Sequence, residues 1–209
     1  MNDYIKMLSE QDKLSISISP NRWQFEENPY IISGPCSVES EEMIVDWAQK
    51  MKRIGVNALR GGAYKPCTYP ITKEVGGNGW KEGLREDGLR FLKTAREETG
   101  LPIVSEIMDA YQITGSTMDC IDIVQVGTRN FQNYTLLDAL GELDVPILLK
   151  RGTWGTIDEI LGAVERILVG GNEKVAICLR GVVGMPSYRH VFPSIRWAPD
   201  LMMIPALKE

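Results

Sequence analysis

The 209-residue sequence lacks a long apolar segment, a basic tract and a paired-cysteine motif. Without a run of about 18 apolar residues, and with no apolar core near the N-terminus, neither a membrane span nor a secretory signal is predicted. The net charge of -5 argues against nucleic acid as a partner. None of the four cysteines belongs to a C-x-x-C pair, which argues against structural zinc. We therefore expect a cytoplasmic protein with free thiols.

Apolar segments typical of buried strands alternate along the chain with segments of helical spacing. The first helical segment runs between Ser40, a predicted N-cap, and Gly55, a predicted C′ residue. Its apolar stripe consists of Ile44, Trp47, Ala48 and Met51. The connections are short and the strands are continuously apolar, which predicts a parallel sheet covered on both faces.

The length of the chain limits the architecture. Residues 12–26 alternate around Pro20 and Asn21, which predicts an N-terminal β-hairpin laid against one end of the domain. Six βα units follow, whereas a complete eight-unit barrel typically needs about 250 residues. We therefore expect residues 1–209 to form one α/β domain or an incomplete (β/α) barrel with open edges at the first and sixth strands of the sheet.

Polar side chains follow six predicted strands, at the point where each strand ends. They are Cys36, Arg60, Lys65, Glu106, Arg129, Lys150 and Arg180. Because the carboxyl ends of parallel strands open on one face, these side chains should surround one mouth. Five of the seven are cations in an acidic protein, which indicates an anionic substrate with phosphate and carboxylate groups. The alternative, ordinary loop residues paired with surface carboxylates, explains one such residue better than five.

Six motifs at these strand ends resemble one enzyme family. They are GPCSVES (34–40), LRGGAYKPxT (59–68, where x is Cys67), SEIMD (105–109), QVGTRN (125–130), LLKRG (148–152) and CLRG (178–181). In this order they resemble the class I 3-deoxy-D-arabino-heptulosonate-7-phosphate (DAHP) synthase family, which also contains 3-deoxy-octulosonate-8-phosphate synthase. The resemblance runs from about residue 12 to the end of the chain.

The resemblance implies a TIM-type (β/α)8 barrel, here with about six units and the N-terminal hairpin. It implies a transferase that condenses phosphoenolpyruvate with erythrose 4-phosphate to DAHP and phosphate, the first step of the shikimate pathway. The chemistry needs a divalent metal: Mn, Fe, Co or Zn. We expect these small-molecule substrates, a homo-oligomer, and neither nucleic acid nor membrane as partners.

The resemblance also implies roles for the residues at the mouth. Cys36 corresponds to the thiolate metal ligand of the family. Arg60 and Lys65 correspond to the pair that holds and polarises phosphoenolpyruvate, and Lys65 is the candidate for proton transfer. Glu106 corresponds to a carboxylate that orients a cation or water, although a buried Glu106–Lys150 ion pair is an equal alternative.

Two further sets of contacts are implied by the same resemblance. Arg129, Lys150 and Arg180 correspond to the cluster that clamps the phosphate and carboxylate of phosphoenolpyruvate. Thr68 corresponds to a residue near the phosphate of erythrose 4-phosphate. His190, the single histidine, is expected to be a loop or interface residue.

Two departures from the family pattern leave alternatives open. The D-P-S-H or D-x-S-H stretch that supplies further metal ligands is absent, and Cys67 stands where the family has an arginine for the aldose phosphate. The chain is therefore interpreted as part of a normal synthase, a binding or regulatory homologue, a protein completed by a partner chain, or a synthase for another aldose. We expect retained phosphoenolpyruvate binding and very slow or undetectable condensation by this chain alone.

Overall fold

The fold is built around a parallel sheet of six strands in the order β3-β4-β5-β6-β7-β8. This computed structural model describes residues 15–18, 21–24, 29–66, 83–181 and 200–208. The strands of the sheet are β3 (Ile32–Ser33), β4 (Ala58–Arg60), β5 (Ile103–Ile107), β6 (Ile123–Val126), β7 (Ile147–Lys150) and β8 (Val175–Cys178). Each strand pairs with its neighbours in chain order, which is the order of a (β/α) barrel and not of a doubly wound sheet. The predicted parallel, barrel-type fold is thus confirmed, as a half-barrel.

An antiparallel pair precedes the sheet. Strands β1 (Ser15–Ile18) and β2 (Asn21–Gln24) pair from Ser15 opposite Gln24 to Ile18 opposite Asn21. This confirms the predicted hairpin for those eight residues. Its position against one end of the domain, and the extent of the domain over residues 1–209, stay predictions.

Helices connect the parallel strands. They are α1 (Glu41–Arg53), α2 (Arg85–Thr99), α3 (Gly115–Met118), α4 (Tyr134–Gly141) and α5 (Ile157–Val169), and α6 (Met203–Lys208) lies near the end of the chain. Between β5 and β6, where the βα pattern predicts one helix, the chain forms a 3-10 turn, Ala110–Gln112, and then α3. The division has a local cause, because the side chains of Asp109 and Thr114 each cap a separate start. In the part of the chain that the structure describes, no helix has the length and apolarity needed to cross a membrane.

Helix α1 begins and ends where the sequence predicts. The Ser40 hydroxyl accepts a hydrogen bond from the backbone N–H of Met43 at 3.1 Å, and Gly55 has a φ of +81°. The buried stripe contains Ile44, Ala48 and Met51. Trp47, predicted in the same stripe, is 39% exposed. The buried stripe of α1 is therefore narrower than predicted and contains three of the four apolar residues.

The two faces of the sheet bury different clusters. The larger apolar cluster fills the space between the sheet and the helices. On the other face, the inside of the half-barrel, a smaller cluster is formed by Ala58, Val104, Ile123 and Ala176, with Tyr30, Ile32 and Leu148 packed against it. The inner face therefore has an apolar floor towards the amino ends of the strands.

Candidate functional site

The inner face becomes polar towards the carboxyl ends of the strands. Side chains two residues apart on a strand share a face. Residues two positions beyond the apolar floor are therefore also directed inward, and they are Arg60, Glu106, Gln125, Lys150 and Cys178. Strands β4 to β8 each contribute one such residue, which places a polar layer directly above the floor.

Cys36, Arg60 and Lys65 form one part of this site. Gly34, with a φ of +148°, allows the backbone after β3 to approach Arg60, since a Cβ at Gly34 would lie 2.1 Å from the Arg60 carbonyl oxygen. The Nη2 atom of Arg60 then lies 4.0 Å from the Sγ atom of Cys36. Partial burial alone would raise the pKa of the Cys36 thiol, but the nearby charges of Lys65 and Arg60 outweigh it and lower that pKa. These two cations therefore favour the thiolate.

Glu106 lies in the buried centre of the site. Its side chain is 5% exposed, and its Oε2 accepts a hydrogen bond from Nε2 of Gln125 at 2.8 Å. Burial raises the pKa of Glu106 above its ordinary value, against the opposing charges of Lys65, Lys150 and Arg60. The one hydrogen bond that the structure shows for the Glu106 carboxyl group is the bond from Gln125 to Oε2, and Oε1 has no hydrogen-bond partner.

Lys150 and Arg180 approach from β7 and from the residues after β8. Burial lowers the pKa of Lys150, and the positive charges of Arg60 and Arg180 lower it further. Arg180 donates a hydrogen bond from Nη1 to Oγ1 of Thr128 at 3.1 Å. A negative charge placed near Lys150 would relieve the repulsion among these three cations.

Arg129 lies on the 3-10 turn Thr128–Asn130 after β6. Its Nη1 atom donates to the carbonyl oxygen of Pro66 at 2.7 Å, across 63 positions of sequence. This contact joins the β6 end of the mouth to the chain just after Lys65. All seven predicted strand-end residues thus lie at the carboxyl end of the sheet, while Thr68, Cys67 and His190 lie outside the described residues.

Arg151 immediately follows Lys150 but has a different environment. It is 5% exposed, donates from Nε to the Gly155 carbonyl at 2.8 Å and from Nη1 to the Asp200 carboxylate at 2.6 Å. Successive side chains alternate between the two faces of a sheet, so Arg151 is directed away from the face that carries Lys150. Its ion pair with Asp200 is therefore structural, and Arg151 is not a further cation of the mouth. The pair attaches residue 200 to the loop after β7.

The described part of the chain contains few side chains that could coordinate a metal ion at this site. Cys36 supplies one thiolate, and no group of three His, Cys, Asp or Glu side chains is placed to hold an ion among the described residues. A divalent metal normally needs three or four protein ligands. The described residues alone therefore do not fit the metal site implied by the resemblance.

Sequence reasoning missed Gln125, Gly127 and Cys178 as members of the site. Gln125 is 2% exposed and contacts Glu106, and Cys178 acts on the pKa of Lys150 from the paired position on β8. Period-two spacing was the available signal, because Gln125 and Cys178 lie two residues beyond the apolar residues Ile123 and Ala176.

Comparison with known proteins identifies the family. Residues 18–202 match the DAHP synthetase I family. The chain belongs to this family. A phospho-2-dehydro-3-deoxyheptonate aldolase of Thermotoga maritima is 41% identical over 152 residues, which are 73% of this chain and 42% of that protein. A 2-dehydro-3-deoxyphosphooctonate aldolase of Thioalkalivibrio sulfidiphilus is 24% identical over 161 residues, which are 75% of this chain and 55% of that protein.

Solved structures of the family have the same fold. The crystal structure of the Thermotoga maritima DAHP synthase superposes with a TM-score of 0.79 at 32% identity, covering 95% of this chain and 54% of that one. A truncated form of the enzyme from the same organism gives a TM-score of 0.77, again at 32% identity, and 66% of it is covered. The chain spans about half the length of the curated relatives it matches.

Proposed function

We propose that this chain binds phosphoenolpyruvate at the carboxyl end of its sheet and takes part in the condensation with erythrose 4-phosphate that forms DAHP. The observation that carries the proposal is the set of cations around one buried carboxyl group. Arg60, Lys65 and Lys150 all act on Glu106. Membership of the DAHP synthetase I family supports the choice of reaction.

The geometry supports a division of roles within the site. Lys150 and Arg180, which act on each other electrostatically, would bind the phosphate and carboxylate of phosphoenolpyruvate together with Arg129. Arginine offers paired N–H donors to such anions, and lysine adds a point charge. The substrate would thereby replace repulsion among cations with charge-assisted hydrogen bonds.

Arg60 and Lys65 would hold the reacting end of the substrate. Both lower the pKa of the Cys36 thiol, and both act on the buried Glu106 carboxyl group, so they act on the thiol and on the carboxyl group together. Lys65 is the proposed group for proton transfer, because an ammonium can give up a proton whereas a guanidinium stays charged. Thr68 remains the proposed contact for the phosphate of the aldose, and Cys36 remains the proposed thiolate ligand of a divalent Mn, Fe, Co or Zn ion, for which the described residues supply no further ligand group.

A second candidate function has its own support. The 24% identical relative is named a 2-dehydro-3-deoxyphosphooctonate aldolase, whose product has one carbon more than DAHP. The alternative is therefore the same condensation with a five-carbon phosphorylated aldose. A third candidate, a phosphoenolpyruvate-binding homologue without turnover, is favoured by the lack of a three-ligand group among the described residues.

Calorimetric titration of the purified chain with phosphoenolpyruvate tests the binding proposal. We expect one site per chain, competition by inorganic phosphate, and weaker binding of pyruvate, which has the carboxylate alone. Absence of heat and of competition would contradict the proposal. Phosphate release with erythrose 4-phosphate, with a five-carbon aldose phosphate, or with neither then separates the three candidates.

A further inference from the structure

One oxygen of the buried Glu106 carboxyl group has no partner. Glu106 on β5 and Gln125 on β6 lie directly opposite each other in the sheet, and Gln125 donates its hydrogen bond to Oε2. The other oxygen, Oε1, is buried and makes no hydrogen bond. Buried polar atoms in folded proteins almost always have partners, so an unpaired one in a site indicates a contact that a ligand supplies.

Gly127 shows which way that oxygen faces. A Cβ built on Gly127 would lie 2.0 Å from Oε1 and 2.8 Å from the carboxyl carbon of Glu106. The backbone of Gly127 has a φ of -67° and a ψ of 153°, which any residue adopts, so glycine is needed here for space and not for conformation. Gly127 follows the last residue of β6, so Oε1 lies against the backbone at the carboxyl end of that strand.

We propose that Gln125 and Gly127 are positioning residues for Glu106. Gln125 holds Oε2, and Gly127 leaves the room for Oε1. Oε1 thereby accepts a hydrogen bond from an O–H donor that enters with the ligand, either a water molecule or a hydroxyl group of the aldose. The identity of the ligand rests on the proposed function, whereas the positioning of Glu106 does not.

The charges around Glu106 explain why a neutral donor is needed on β6. Arg60 faces it from β4, Lys65 from the segment after β4, and Lys150 from β7. The hydrogen bond from Gln125 acts with these three cations, against burial, to lower the pKa of Glu106. A carboxylate on β6 would repel Glu106, and an apolar residue would leave Oε2 unpaired as well.

The first test needs no ligand. Infrared titration follows the carboxyl C=O band of protonated Glu106, identified as the band that disappears in Glu106→Gln. Gln125→Met should raise the midpoint of this titration, because the carboxylate loses its hydrogen-bond donor. An unchanged midpoint would overturn the positioning role of Gln125.

Gln112→Met is the matched control. Gln112 is also a buried glutamine, 4% exposed, and its Oε1 accepts hydrogen bonds from the backbone N–H groups of Met108 and Asp109. Its replacement should lower stability and leave the titration of Glu106 unchanged. An equal shift of the midpoint in both variants would assign the effect to general loosening and overturn the proposal.

The second test adds ligands to the full chain. Gly127→Ala and Gln125→Met should each weaken ligand binding by about tenfold, the cost of a lost hydrogen bond to a charged group. Neither should act further in a Glu106→Gln background. If the substitutions weaken the binding of phosphoenolpyruvate measured alone, the donor is a water molecule. If they weaken binding only when the aldose phosphate is present, the donor is a hydroxyl group of the aldose. Unchanged binding of both ligands would overturn the role of Oε1.

The experiments distinguish failure of the proposed function from failure of the proposed positioning of Glu106. If the unchanged chain binds no phosphoenolpyruvate, the proposed function is wrong, and the ligand contact of Oε1 is wrong with it. The positioning of Glu106 by Gln125 is then judged by the infrared titration alone. Because Gly127→Ala could prevent folding, Gln125→Met, which preserves side-chain volume, decides the ligand test in that event.

Discussion

Replacement of Lys150 by methionine should affect anion binding and folding stability in opposite directions. Methionine preserves the length of the side chain and removes its charge. Lys150 is partly buried, and burial together with the charges of Arg60 and Arg180 lowers its pKa. The folded protein therefore holds this charge at a cost, which is expected of a residue selected for binding.

The expected loss of binding follows from the contact that is removed. A hydrogen bond between an ammonium and a phosphate or carboxylate oxygen contributes roughly 1.5–3 kcal/mol. Since about 1.4 kcal/mol corresponds to a factor of ten in affinity, Lys150→Met should weaken phosphoenolpyruvate binding by about ten- to a hundredfold. The free energy of unfolding at neutral pH should stay unchanged or rise, because an apolar side chain replaces a poorly solvated charge.

The pH dependence gives a second readout. With the pKa of Lys150 lowered in the folded state, the unfolded chain binds more protons than the folded protein between that pKa and the ordinary value of 10.5. The free energy of unfolding should therefore rise with pH through this window, and Lys150→Met should remove that rise. Urea unfolding at several pH values measures it.

Lys174→Met is the matched control for this experiment. Lys174 immediately precedes β8, at the opposite end of the same sheet, and pairs with the exposed Asp144. Its replacement should leave phosphoenolpyruvate affinity within about twofold, since surface ion pairs contribute little. Equal losses of affinity in the two variants, or an unchanged affinity in Lys150→Met, would refute the assignment of Lys150 to the anion site.

Three further predictions concern other residues. Arg129→Ala should weaken phosphoenolpyruvate binding at least tenfold by calorimetry, through loss of a charged hydrogen bond of roughly 1.5–3 kcal/mol; unchanged affinity would remove Arg129 from the site. Because burial raises the pKa of Glu106, the free energy of unfolding should fall as pH rises from 4.5 to the folded-state pKa, and Glu106→Gln should flatten this slope in urea titrations; an equal slope in both proteins would contradict the shift. Asp200→Ala should destabilise the protein by about 3 kcal/mol, since it leaves the buried Arg151 without its carboxylate, whereas a loss below about 1 kcal/mol would make the pair dispensable.

The sequence predicted the sheet and the cations of the mouth because both depend on local pattern. Each strand is a short apolar run, and Arg60 and Lys150 are the last residues of their strands. The order of strands in the sheet follows from alternation with helices and short connections. Nothing in these predictions required knowledge of contacts between distant residues.

The contacts that the sequence did not predict join residues that are far apart in the chain but close in the folded structure. The hydrogen bond of Gln125 with Glu106 joins neighbouring strands in one particular register, and the pair of Arg151 with Asp200 spans 49 positions. The space requirement at Gly127 also depends on a side chain of another strand, since its own backbone conformation gives no reason for glycine. Pattern reasoning identifies residues at the mouth, but it does not identify their partners.

The most direct test of the account is a crystal structure of the chain with phosphoenolpyruvate. The account predicts the phosphate and carboxylate groups in contact with Arg129, Lys150 and Arg180, Lys65 beside the reacting carbon atoms, and an ordered oxygen atom within hydrogen-bond distance of Oε1 of Glu106. Phosphoenolpyruvate bound away from the carboxyl end of the sheet, or an empty site at saturating concentration, would contradict it.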